Sequence, residues 1–101
     1  MALLLELLLR KFYDSKKVLI VNKLGLHARA AMQLVDHAGR YASEILIHYK
    51  NATVNAKSIL NVMALGAAKG AELMIEITGE DEIKAAEDLE NLIAKGFGEE
   101  E

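Results

Sequence analysis

Residues 72–78 read Glu-Leu-Met-Ile-Glu-Ile-Thr, with Leu73, Ile75 and Ile77 set between Glu72, Met74, Glu76 and Thr78. Side chains on a strand alternate between faces, so this pattern makes a strand with one apolar side and one wet side. Ile45, Ile47 and Tyr49 alternate with Glu44, Leu46 and His48 in the same way. A sheet built from such strands has one face to cover. Its helices must therefore all lie on that face, which makes an open sandwich.

The rest of the chain fits that frame. Val18 to Val21 is a short apolar run suited to a buried strand, and Gly25 breaks it. Ala31, Leu34, Val35 and Ala38 form one helical stripe that Gly39 stops. Lys50-Asn51 turns the chain into a strand at Ala52 to Ala56, and Ser58 opens a short helix ending near Gly66. After Gly79, the acids Glu80, Asp81 and Glu82 suit the positive end of a last helix. Its apolar face is Ile83, Ala86, Leu89, Leu92 and Ile93, and Gly96 ends it. The order is β-α-β-β-α-β-α. The expected fold is α+β: an open-faced sandwich with a four-stranded antiparallel sheet and three helices on one face.

With 101 residues, the chain has one domain's worth of core and no depth for a walled active site. It is 52% hydrophobic and 27% charged, with net charge −3, which excludes a disordered tail and a basic nucleic-acid module. It has no cysteine, so disulfides, thiolate zinc sites and cysteine nucleophiles are excluded, and a cytoplasmic location is expected. Residues 1–57 carry nine Lys/Arg against four Asp/Glu, and residues 58–101 carry three against eleven. Either the helix surfaces simply differ, or a mildly basic face in the first half meets an acidic partner.

Six leucines lie between Leu3 and Leu9, broken only by Glu6. A membrane span needs about 20 apolar residues, and a secretory signal places its basic residues ahead of the apolar part. Here Arg10 and Lys11 follow it, so neither reading applies. Residues 1–15 are expected to be a helical, leucine-rich appendage that packs on the domain, pairs with a second copy as a homo-oligomer, or docks on a partner. Residues 16–98 are the expected domain, and residues 99–101 an acidic tail.

Few residues can carry chemistry. Gly66-Ala-Ala-Lys69-Gly70 lacks the ending of a phosphate-binding P-loop, and the three histidines are too scattered to suggest a metal set. His37 is expected on an exposed helix face and His48 on the open face of the sheet. His27 differs, because it stands after a strand at the start of a helix, in Lys23-Leu24-Gly25-Leu26-His27-Ala28-Arg29. Free N–H groups and the helix dipole there favour a phosphate and disfavour imidazolium, leaving a ring nitrogen able to act as a nucleophile. Arg29 offers a planar fork for phosphoryl oxygens, and Gly25 permits a tight backbone approach. On physical grounds two readings stand: a phosphate-handling histidine, or a plain helix cap.

Gly25-Leu26-His27-Ala28-Arg29-Ala30-Ala31 resembles the active-site sequence of the HPr family, the histidine phosphocarriers of the phosphoenolpyruvate-dependent phosphotransferase system. Asn55-Ala-Lys57-Ser58-Ile59-Leu60 and Leu65-Gly66-Ala-Ala-Lys69-Gly70-Ala71-Glu72 resemble its second signature. The resemblance runs from about Lys16 to Phe97. It implies that His27 takes a phosphoryl group on Nδ1 from enzyme I and gives it to a IIA protein or domain, with Arg29 orienting it. It implies no cofactor, no metal and no enzymatic activity of the carrier's own. Ile59, Leu60 and Met63 match the family's apolar docking patch.

The family usually has Pro where this chain has Ala30, which loses only the fixed φ of a first-turn proline. Asn22-Lys23-Leu24-Gly25, Ala31-Met32 and Gly96-Phe97 are similar to NPr, the nitrogen-related paralogue. Lys57-Ser58-Ile59 is instead similar to the sugar-branch form, whose serine is phosphorylated by HPr kinase. Ser58 is thus either a regulatory phosphorylation site or simply an N-cap. The expected function is a relay with a regulatory role. The alternatives are a paralogue that binds and controls partners without relaying, and a small-molecule-binding regulatory domain of similar layout.

Overall fold

Alternation along the strands becomes two chemically different sheet faces. The computed structural model describes residues 14–99, so the expectations for the leucine-rich segment and for Glu100 and Glu101 lie outside the described residues. Four strands, β1 (Asp14–Leu19), β2 (Glu44–Tyr49), β3 (Ala52–Asn55) and β4 (Glu72–Thr78), form one antiparallel sheet in the order β1-β4-β2-β3. The register pairs Val18 with Leu73, Ile45 with Ile77, and Ile47 with both Ile75 and Val54. These residues share one face and, apart from half-buried Val54, are buried there. On the opposite face Lys17, Met74, His48 and Thr53 form one cross-strand row.

Helices α1 (Ala28–Ala38), α2 (Ile59–Ala64) and α3 (Glu82–Ala94) cover the apolar face. Ala30, Ala31, Leu34 and Ala38 are the buried stripe of α1, as its spacing requires. From α3 the stripe is Ala85, Ala86, Leu89 and Ile93, closed below by Phe97. The observed order β-α-β-β-α-β-α is the expected α+β open-faced sandwich.

Three details differ from the sequence reading. Strand β1 starts at Asp14, so the boundary expected after residue 15 falls inside a strand. Ile20 lies just past that strand, yet its N–H donates to Ala71 O at 2.9 Å and its carbonyl accepts from Gly70 N at 2.7 Å. Ile83, assigned to the apolar face of α3, is 68% exposed, and Ala85 takes the buried position.

His37 is a further correction. It was expected on an exposed helix face, but it is half-buried and its Nδ1 lies 2.7 Å from Asp88 Oδ1 on α3. Tyr41 Oη donates to the other oxygen of Asp88 at 2.6 Å. The pair clamps the end of α1 to α3, a tertiary contact that spacing along one helix cannot reveal. His48 does lie on the open face, between Glu76 and Thr53 at 2.8 Å each.

Candidate functional site

The loop before α1 is held so tightly that it fixes where His27 points. Gly25 has φ +67, and a Cβ there would sit 2.6 Å from Ala67 O and 2.8 Å from Ala68 Cα. Only glycine fits both the left-handed backbone and that close approach. Leu26 then buries its side chain and donates its N–H to Ala67 O at 2.8 Å. His27 follows as the N-cap of α1, extended at φ −71 and ψ 177, with its carbonyl accepting Ala31 N at 2.8 Å.

The two ring nitrogens of His27 have different partners. Nδ1 accepts from the Arg29 backbone N–H at 3.3 Å, so it carries a lone pair and faces the first turn of the helix. The ring proton is then on Nε2, which is hydrogen-bonded to the Glu99 carboxylate. A ring nitrogen with its lone pair turned to a helix N-terminus is a nucleophile placed where an acquired phosphate would be stabilised. Arg29 lines the same open hollow of about 540 Å³, together with Lys23, Leu24, His27 and Glu99.

Glu99, expected to be part of an acidic tail, belongs instead to this site. After α3 the chain reverses through Gly96–Gly98, where Gly96, Phe97 and Gly98 all have positive φ and Phe97 is buried. That reversal returns Glu99 to the His27 loop. Its second carboxylate oxygen accepts from Asn22 Nδ2 at 3.0 Å, and Asn22 also donates to Gly25 O at 2.7 Å. The Asn22 amide and then His27 hold the Glu99 carboxyl below its usual range. Asn22 is almost fully buried, and the sequence alone marks no role for it and no signal for Glu99 beyond its charge.

Of the expected docking residues, Leu60 is 76% and Met63 41% exposed, while Ile59 packs partly against the core. Leu24 and Met32 are 69% and 62% exposed, on the loop before α1 and on α1, which packs against α2. Exposed large apolar side chains on adjoining elements make a surface suited to a protein partner. Ser58 is the N-cap of α2, its hydroxyl facing Asn61 N at 3.5 Å. Among the described residues there is no cluster of His, Asp and Glu able to hold a metal, and no helix long and apolar enough to cross a membrane.

The family model described as "PTS HPr component phosphorylation site" matches residues 14–95. The chain belongs to the HPr family. It is 44% identical over 80 residues to phosphocarrier protein HPr of Neisseria meningitidis, covering 79% of this chain and 90% of that protein. The HPr of Cupriavidus necator is 45% identical over the same shares. Among solved structures, an HPr of Thermoanaerobacter tengcongensis superposes with a TM-score of 0.84 at 40% identity, covering 87% of this chain and 99% of that one. Crh of Bacillus subtilis, described as a catabolite repression protein, superposes at 0.66 with 36% identity over 80% and 93% of the two chains. As an HPr-family protein the molecule is a phosphocarrier of the phosphotransferase system, transiently phosphorylated on histidine, and not an enzyme.

Proposed function

We propose that His27 is the phosphorylated histidine, that it receives its phosphoryl group on Nδ1 from phospho-enzyme I, and that it passes the group to a IIA protein or domain in the cytoplasm. One observation carries this reading: Nδ1 accepts from the Arg29 N–H, so its lone pair faces the N-terminal turn of α1, the end of a helix that favours an anion. Transfer breaks the donor's bond to phosphorus, leaving that electron pair on the donor, while the Nδ1 lone pair forms the new bond. The helix N-terminus takes up the added charge, and Arg29 supplies a further cation beside it. Because His27 lies in an open hollow, the second acceptor reaches phosphorus as easily as the first donor did, and transfer runs both ways.

Leu24, Met32, Leu60 and Met63 dock the successive partners by shared apolar contact. Ser58 is the regulatory site of this scheme. A phosphate there is favourable at its own helix N-terminus but sets a double negative charge beside Leu60, against the approach of an acidic partner.

Incubation of the full chain with phosphoenolpyruvate and enzyme I, followed by intact mass, tests the relay. The expected result is an acid-labile gain of one phosphate that His27→Ala abolishes and that a IIA protein removes. A stable gain surviving in His27→Ala, or none with enzymes I of either the sugar or the nitrogen branch, contradicts it.

A further inference from the structure

We propose that Met32 and Met63 are a reversible oxidation site: a peroxide converts their thioethers to sulfoxides, and the more polar surface that results holds partner proteins less tightly. The inference rests on the docking role proposed for this surface and gives it a means of regulation separate from Ser58.

Three observations carry it. The chain has four methionines and no cysteine, so thioethers are its only sulfur groups open to a two-electron oxidant. Among the described residues the thioethers differ in access. Met32 and Met63 are 62% and 41% exposed, whereas Met74 is half-buried on the open sheet face, where its Sδ accepts a hydrogen bond from Ser15 Oγ at 2.9 Å. Finally, both exposed methionines stand on the adjoining helices α1 and α2, beside Leu24 and Leu60 in the docking surface. Neither supports the core: α1 buries Ala30, Ala31, Leu34 and Ala38, and α2 buries Val62. An added oxygen therefore changes the surface and leaves the fold alone.

In the chemical step, a lone pair of the thioether sulfur attacks one oxygen of the peroxide. The S–O bond forms as the O–O bond breaks. The departing oxygen keeps that bond's electrons, takes the proton from the transferred oxygen and leaves as water or an alcohol. Sulfur is oxidised and the peroxide reduced by the same two electrons. A thiol-dependent sulfoxide reductase reverses the change, two thiols becoming a disulfide while the oxygen leaves as water. A thioether is a flexible apolar group that moulds to different partners, whereas a sulfoxide carries an oxygen that accepts hydrogen bonds. Pressed against an apolar partner, that oxygen loses its water with no donor to replace it, which weakens docking. Because successive partners meet this one surface, oxidation slows receipt and delivery together while His27 is untouched.

The full chain is treated with hydrogen peroxide, desalted and mapped by peptide mass before phosphoryl acceptance from enzyme I is measured. Met32 and Met63 are expected to gain an oxygen each before Met74 does. KM for the oxidised carrier is expected to rise about tenfold, with the maximal rate and melting temperature held and a sulfoxide reductase restoring the original KM. Met32→Leu combined with Met63→Leu is expected to show no further rise on peroxide treatment, whatever its own KM, whereas Met74→Leu responds as the wild type does. Oxidation of Met74 ahead of the pair overturns the proposal, as does an unchanged KM with both methionines oxidised, or a rise that persists in the double variant. Leu60→Asp separates this from failure of the docking reading: a KM raised by Leu60→Asp but not by oxidation overturns only the methionine site. If the untreated chain takes no phosphate, the relay fails instead, and calorimetric binding of enzyme I by oxidised and untreated chains makes the same comparison.

Discussion

At Gly25 the chain has φ +67 and no room for a methyl group against the backbone of Ala67 and Ala68. Gly25→Ala is expected to cost roughly 2–4 kcal/mol, adding left-handed strain to overpacking. Because this turn hands the chain to His27, the same variant is expected to slow phosphoryl acceptance more than an equally destabilising change in the remote core, such as Ile77→Val with a second core truncation. Thermal unfolding and acceptance rates measured together check this, and equal rates at matched stability contradict it. The glycine, His27 and Arg29 were legible because they lie in one short stretch of sequence. Glu99 and Asn22 were not: they are 77 positions apart, and only the closing turn at Gly96–Gly98 brings them together. A short acidic run near a terminus has the same appearance whether solvated or folded back.

Among the elements, α2 has six residues, of which only Val62 is fully buried, so it contributes surface more than core. Its apolar composition showed that some of it must be exposed, but not which residues. The structure selects Leu60 and Met63 and turns Ile59 inward. Leu60→Asp is expected to leave the melting temperature within about 1 kcal/mol equivalent of wild type, since little apolar area is lost from the fold. It is expected to weaken acceptance from enzyme I at least severalfold through KM, with the maximal rate retained. A loss confined to the maximal rate contradicts Leu60 as a docking residue. The strands were legible wherever they alternate, as in β2 and β4. Strand β1 was read late by four residues because Asp14 to Lys17 are polar, and the ladder with β4 decides their conformation.

At the scale of the whole fold, three carboxyls among the described residues are held below their ordinary values of 3.8 or 4.5 by fixed partners. For Asp81 these are the Ser43 hydroxyl and the Ala42 N–H, and for Glu99 the Asn22 amide and His27. Burial opposes the ionisation of Asp88, but hydrogen bonds from Tyr41 and His37 outweigh it. The unfolded chain takes up these protons at higher pH than the native one, so this stability is present above the ordinary carboxylate range and is lost as pH falls through the native values. Tyr41 has the opposite sign: its hydrogen bond to Asp88, then burial, push its phenol from 10.0 up to about 12. The native state keeps that proton longer, so stability falls as pH rises across this window. Calorimetric melting from acid to alkali is expected to show both limbs, with the alkaline one shallower in Tyr41→Phe. An alkaline limb unchanged in that variant contradicts the role of the Tyr41–Asp88 bond. Residues 1–13 lie outside the span matched by the family model, so their removal is expected to leave phosphorylation intact.

Which nitrogen of which histidine bears the phosphate is decided by ³¹P and ¹⁵N spectra of the phosphorylated chain. They are expected to show one phosphorus-coupled nitrogen, Nδ1 of His27, with Nε2 still protonated. Phosphate on Nε2, or on His37 or His48, contradicts the assignment of the helix N-terminus as the phosphoryl cradle.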